Sequence, residues 1–167
     1  MKILFAILYD FAYNSMDPKI EFADYSGEDI MEKLNDIIFQ AEAIIIYDEG
    51  KSRKFKKGED AYFRLLNSWT ELTAKALSMP AYGVSLDALT REKMAHGLWV
   101  EFVFEKTNYY REMPFDKLLI EVEPHYCGFN LIRHYRGEYG GRCFYLDLQG
   151  KNMREFFDFL ASDFMHP

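Results

Sequence analysis

The hydrophobic residues of this chain change their spacing near residue 97, and this change restricts the folds that it can adopt. Before that point, apolar side chains recur at about 3.6-residue intervals, as on one face of a helix. After it, four segments alternate apolar and polar residues with the period of two that is typical of half-buried strands. Helices followed by a run of strands indicate an α+β fold, in which helices cover one face of an antiparallel sheet.

The four strands are predicted over residues 98–105, 117–123, 128–136 and 142–148. Their short connections favour an antiparallel meander, and Tyr139, Gly140 and Gly141 supply the residues for the last turn. The apolar run of residues 3–13 predicts a further strand. We therefore expect an antiparallel sheet of about four to five strands with helices packed on one face.

Three helices are predicted before the meander and one after it. The first begins near Ser26, an N-cap candidate with an acid three residues later, and its apolar stripe extends to Ile45. The helix is predicted to run as far as residue 48. The β-branched residues 44–46 leave a strand open for residues 43–48. A second helix carries the stripe from Tyr62 to Leu77 and stops before Pro80. A third helix is predicted over residues 87–96.

No repeat or linker divides the chain, so we expect one domain over residues 1–167. Its parts are an N-terminal strand, a helical segment over about residues 26–96, the meander over about 98–148, and an amphipathic helix over about 152–164. The N-terminal apolar run is short and interrupted by Asp10, unlike a signal peptide, and no stretch has the length of a membrane span. These features predict a soluble, cytoplasmic protein.

The formal net charge of −7 repels phosphate backbones and argues against nucleic-acid binding. A local exception, which we call the basic strip, consists of Lys51, Arg53, Lys54, Lys56 and Lys57. We interpret it as a solvated loop between helices; the functional alternative is a docking surface for an acidic partner or nucleic acid.

The alternation within the strands predicts an outer sheet face that carries carboxylates and tyrosines. A turn centred on Tyr139 would place Arg133 opposite Tyr145. The predicted partner-binding residues on this face are Glu101, Glu105, Glu121, Glu123, Arg133, Tyr135, Tyr145 and Asp147. A slip of one residue would invert the two faces, so which face is solvent-exposed stays open. The simpler interpretation is an ordinary solvated face with cross-strand pairs.

Two sets of residues have the side-chain types of a thiol nucleophile or of a zinc site. Cys127, beside His125 or His134, has the residue types of a thiol nucleophile and its base. For zinc, His125 and Cys127 are closely spaced but lie at the start of a strand, and the predicted register places His134 and Cys143 on opposite faces. The two cysteines lack C-x-x-C spacing and are expected to be free thiols. No glycine-rich motif indicates a nucleotide. We therefore predict no metal and no cofactor, and the sequence leaves open whether the protein is an enzyme.

These observations favour an acidic protein-binding module whose partner is basic. An inhibitor or immunity-type protein that neutralises a basic enzyme, such as a nuclease toxin, fits the acidic, tyrosine-bearing face. One alternative is a hydrolase that uses the sheet-face carboxylates or a Cys/His pair. Another is a dimeric structural or regulatory module that pairs through its outer sheet face.

Overall fold

A computed structural model describes residues 27–79 and 83–165, and shows the α+β fold with an antiparallel sheet. The helices are α1 Gly27–Ile38, α2 Asp60–Thr73, α3 Asp87–Met94 and α4 Arg154–Phe164. The strands are β1 Ala43–Asp48, β2 Lys51–Lys56, β3 Leu77–Met79, β4 Val84–Ser85, β5 Leu98–Tyr110, β6 Met113–Glu121, β7 Gly128–Tyr135, β8 Glu138–Tyr139, β9 Gly141–Arg142 and β10 Phe144–Asp147. The strand predicted for residues 3–13 lies outside the described residues.

The main sheet has eight strands in the described part of the chain, more than the four to five predicted. Its order is β2-β1-β5-β6-β7-β10-β3, with β8 paired to β7, while β4 and β9 form a separate two-stranded sheet. The extra strands come from segments where the sequence predicted helix or loop. The larger sheet therefore results from strands on both sides of the predicted meander.

Residues 43–56 form a hairpin at one end of the main sheet. The first helix ends at Ile38, so its predicted extension to residue 48 is wrong, and the strand left open for residues 43–48 is confirmed. Glu49 and Gly50, with φ of 48° and 78°, make the tight turn into β2. The basic strip therefore lies mostly on a strand and not in a loop between helices.

The second helix also ends earlier than its apolar stripe suggests. It stops at Thr73, and Leu77 belongs to β3, which pairs with β10. Met79 directly precedes Pro80 in the sequence, and the residue before a proline favours extended backbone over helix. The predicted continuation of this helix to residue 77 is therefore wrong.

The inner face of the sheet packs against α1, α2 and α4 in one hydrophobic core. Trp69 of α2 is fully buried, and its ring centroid lies 5.1 Å from that of Phe102 and 5.9 Å from that of Phe129. From α4, Phe156, Leu160 and Phe164 are buried in the same core. These contacts fit the predicted apolar stripe of the last helix.

The outer face is partly covered by a smaller hydrophobic cluster. Met94 of α3 and Tyr139 of β8 pack there against Trp99 and Leu119 of the sheet. The segment that contains β4 and α3 therefore lies on the opposite side of the sheet from the main core, and it forms the wall of the site described below.

The last hairpin has a different register from the predicted one. The chain turns at Arg136 and Gly137, with φ of 55° and 89°, and not at Tyr139. Tyr145 consequently lies opposite Asn130, so the predicted pairing with Arg133 is wrong. The observed pairing differs from the predicted one by an odd number of residues, and successive side chains point to opposite faces of a strand. Arg133 and Tyr135 therefore lie on the inner face, the same face as Phe129.

Candidate functional site

The four glutamates of the predicted outer face occupy different environments. Glu105 is exposed, Glu121 and Glu123 are half-buried, and Glu101 has no solvent-accessible surface. They therefore do not form one continuous acidic surface. Glu101 is excluded from direct contact with a partner, in contrast to the prediction.

Glu101 lies at the centre of a hydrogen-bonded cluster under α3 and β8. One carboxylate oxygen accepts a hydrogen bond from the Tyr47 hydroxyl at 2.9 Å and lies 3.5 Å from the Lys117 ammonium. The Tyr139 hydroxyl donates to the other oxygen. Within the described residues, no buried polar side-chain atom lacks a partner. The cluster is thus a satisfied polar network that joins β1, β5, β6 and β8.

The Glu101 cluster predicts a loss of stability at alkaline pH. Burial, followed by the nearby Glu101 carboxylate, raises the pKa of Tyr47 and of Tyr139 far above the usual value. The folded state therefore keeps two protons that the unfolded chain releases above about pH 10. Stability is present in full below that pH, and falls above it by about 1.4 kcal/mol per pH unit for each tyrosine.

Urea unfolding between pH 9 and 11.5 measures this slope. Tyr47→Phe should reduce the slope, because the Glu101 cluster then retains one tyrosine proton instead of two. Tyr109→Phe is the control, since that ring is 60% exposed. A slope that Tyr47→Phe leaves unchanged would contradict the role of the cluster.

A groove of about 390 Å³ lies between the outer face of the sheet and the segment that contains β4 and α3. We call it the outer groove. Glu121, Tyr126 and Tyr145 line it on the sheet side. The ring of Tyr145 lies so close to Gly128 that a side chain at that position would clash with it. Glycine at this position therefore allows Tyr145 to reach the groove.

Four apolar side chains around the outer groove are exposed to solvent: Val84 by 68%, Leu86 by 64%, Leu89 by 49% and Tyr126 by 41%. Apolar side chains are usually buried and polar ones exposed, but around β4 the opposite holds. The polar residue between the exposed Val84 and Leu86 is buried. That residue, Ser85, bonds the Thr90 hydroxyl at 2.8 Å and donates to the Tyr139 carbonyl at 3.1 Å. These bonds hold the segment with its apolar side chains towards solvent.

Glu121 and Tyr126, which line the outer groove, have raised pKa values. Burial, and to a smaller extent the charge of Glu123, raises the pKa of Glu121, while Lys93 acts in the opposite direction. Burial and the same two carboxylates raise the pKa of Tyr126. A cation placed beside Glu121 would be stabilised by that carboxylate and by the charge of the nearby Glu123, which Lys93 offsets only in part.

The other residues of the predicted binding face have local partners. Arg133 donates to the backbone carbonyls of Arg142 and Pro114, at 2.7 and 2.8 Å. Asp147 accepts the backbone N–H of Gln149 at 2.8 Å. The Tyr135 ring lies beneath the guanidinium of Arg136. Of the predicted set, the outer groove brings together Glu121 and Tyr145.

The thiol candidates are not joined into a nucleophilic pair. The Cys127 sulfur contacts the backbone carbonyl of His125 at 3.8 Å and not its imidazole. His134 lies at the far end of β7, roughly 20 Å away along an extended strand; there its Nδ1 lies 2.5 Å from the Asp116 carboxylate. Cys143 is buried, which raises the pKa of its thiol.

No group of three or more His, Cys, Asp or Glu side chains with the geometry of a metal site occurs in residues 27–79 and 83–165. Among the helices in these ranges, none has the length and apolarity needed to cross a membrane. No known protein family, curated protein or solved structure matches this chain. The outer groove is thus identified by its geometry and chemistry alone.

Proposed function

We propose that the protein acts by binding another protein through the outer groove. The observation that carries this proposal is the set of four exposed apolar side chains around a concave surface that Glu121 lines. Exposed apolar groups that cluster around a concave, partly polar surface are typical of interaction sites. Single exposed apolar residues elsewhere would need no such explanation.

The chemistry of the groove favours a basic partner. Glu121 and Lys93 line it, Glu123 lies close enough to Glu121 to raise its pKa, and the chain as a whole carries a formal charge of −7. Carboxylates at the margin of an interface accelerate association with a basic protein, while buried apolar and aromatic contacts slow dissociation. An inhibitor or immunity-type protein that neutralises a basic enzyme is the class that we propose.

Leu89→Arg should abolish capture of the partner, because it places a large cation on the apolar margin of the groove. Phe63→Arg on α2 is a matched control: its side chain is 51% exposed, and its helix packs on the opposite face of the sheet. Quantitative mass spectrometry would compare proteins captured from native lysate by the two variants and the original chain.

We expect one or more basic proteins to be retained by Phe63→Arg and lost with Leu89→Arg. Binding that both variants lose equally, or that both retain, would contradict the assignment of the groove. Circular dichroism would confirm that the two variants are folded.

One observation favours a hydrolase as the second candidate function. A half-buried carboxyl with a raised pKa, such as that of Glu121, has the properties of a general acid. This function would require turnover of a substrate that Glu121→Gln abolishes without loss of binding. A binding protein would instead show no turnover, and its affinity would fall with the same substitution.

A further inference from the structure

The strand β2 forms one end of the main sheet, at the opposite end from β3. Among the described residues it pairs only with β1, through a continuous register from Lys51 to Lys56. An edge strand of this length has about three N–H and three C=O groups directed away from its neighbour. These groups form a template on which another extended chain can pair.

The cations of the basic strip divide into two kinds. Arg53 is exposed but already has partners within the chain, because its guanidinium donates to the Phe164 carbonyl at 2.7 Å and lies over the Phe55 ring. The remaining four, Lys51, Lys54, Lys56 and Lys57, are exposed, and no ion pair involves them in the part of the chain that the structure describes. Four cations are therefore available on this edge.

The lysines on β2 favour pairing with an acidic strand over a basic one. Lys54 and Lys56 are two residues apart, so they share the outer face of the strand. A second copy of the same edge would bring like charges together, which is how edge lysines suppress self-association. An acidic strand would instead place its carboxylates opposite these lysines.

We propose that the β2 edge binds an extended acidic segment of a partner protein as an added strand. Backbone hydrogen bonds supply the pairing, and acidic residues at alternate positions face Lys54 and Lys56. This surface is separate from the outer groove, whose sheet residues come from β5, β6, β7 and β10. A polypeptide is favoured over nucleic acid because only a polypeptide backbone has the alternating N–H and C=O groups that can pair with the edge of β2.

An eight-residue peptide that alternates glutamate with valine tests this proposal directly. Fluorescence anisotropy of the labelled peptide should show binding that the double variant Lys54→Glu/Lys56→Glu weakens about tenfold or more, because two cross-strand charge pairs become repulsive. The matched control is Lys33→Glu/Lys75→Glu, which makes the same charge change at exposed lysines outside β2 and should leave affinity within about twofold. Equal weakening by both double variants, or no binding of the peptide, would overturn the proposal.

Two further probes separate strand addition from simple charge attraction. Two N-methylated versions of the peptide would be compared, one methylated at its odd-numbered residues and the other at its even-numbered residues. Only the version whose methylated backbone nitrogens face β2 should lose binding. A single-stranded oligothymidine of equal charge should bind more weakly than the peptide. Full binding by both methylated peptides would overturn strand pairing, and tighter binding of the oligonucleotide would overturn the choice of partner.

Discussion

Glu101→Ala is expected to lower the free energy of unfolding by about 3–5 kcal/mol, because two tyrosine hydroxyls lose a fully buried acceptor at about 1–3 kcal/mol each. The substitution would leave the Lys117 ammonium and the Tyr47 and Tyr139 hydroxyls without their acceptor. Each group would then have to remain unsatisfied or draw water into the space under β8. Urea denaturation at pH 7 measures the loss.

Two variants separate burial from charge. Glu105→Ala changes an exposed glutamate on the same strand, and should alter stability by no more than about 0.5 kcal/mol. Glu101→Gln keeps an acceptor for the tyrosines but removes the charge that faces Lys117, so an intermediate loss is expected. Similar effects of the two alanine variants would show that the Glu101 cluster does not stabilise the fold.

The burial of Glu101 could not be predicted from the sequence of its own strand. Strand alternation placed it correctly on the outer face, beside Trp99 in the same strand. Its burial, however, depends on Tyr139 and on α3, which are distant in sequence and cover that face only in the folded chain. Alternation identifies the face of a strand, but it carries no information about which distant segment packs on it.

The register of the last hairpin was indeterminate for a related reason. Gly137, Gly140 and Gly141 all permit a tight turn, so the sequence allowed several pairings between β7 and its neighbours. The structure uses Gly137 and inserts the short strand β8 before β10. The predicted register differs from the observed one by an odd number of residues, so it assigned Arg133 and Tyr135 to the outer face although they lie on the inner one.

The hairpin of β1 and β2 shows how tertiary pairing overrides a local pattern. Apolar residues up to Ile45 continued the helical spacing, while Ile44 and Ile46 also fit a strand. Pairing with β5 buries both Ile44 and Ile46 in the main core, which a longer helix would not achieve. β-branched side chains favour this environment, and the choice depends on a strand that begins about 50 residues later.

The outer groove was the least predictable feature of the molecule. Its margin depends on Val84, Leu86 and Leu89, apolar residues that a sequence pattern would assign to the interior. The sequence does show Ser85 between two apolar neighbours, so Ser85 and its neighbours point to opposite faces. If the apolar pair faces solvent, the polar side chain faces inward. Only the hydrogen bonds of Ser85 to Thr90 and Tyr139 establish that inversion.

Trp69→Ala is expected to reduce the free energy of unfolding by about 3–5 kcal/mol, the range for removing a large aromatic side chain from a core. Trp69 has no exposed surface, and it packs edge-on against Phe102 and Phe129. Its indole N–H also donates to the Asn35 side chain at 3.0 Å, which links α2 to α1. The substitution therefore removes apolar contacts on the sheet and a bond between two helices.

Phe63→Ala on the same helix is the matched control, because Phe63 is 51% exposed and its removal leaves no internal cavity. Its effect on stability should remain within about 0.5 kcal/mol. Trp69→Phe should fall between the two alanine variants, since it retains a ring in the core but leaves the Asn35 amide without its donor. A Trp69→Ala variant as stable as Phe63→Ala would mean that α2 does not dock on the inner face, and the assignment of the outer face to partner binding would then lose its structural basis.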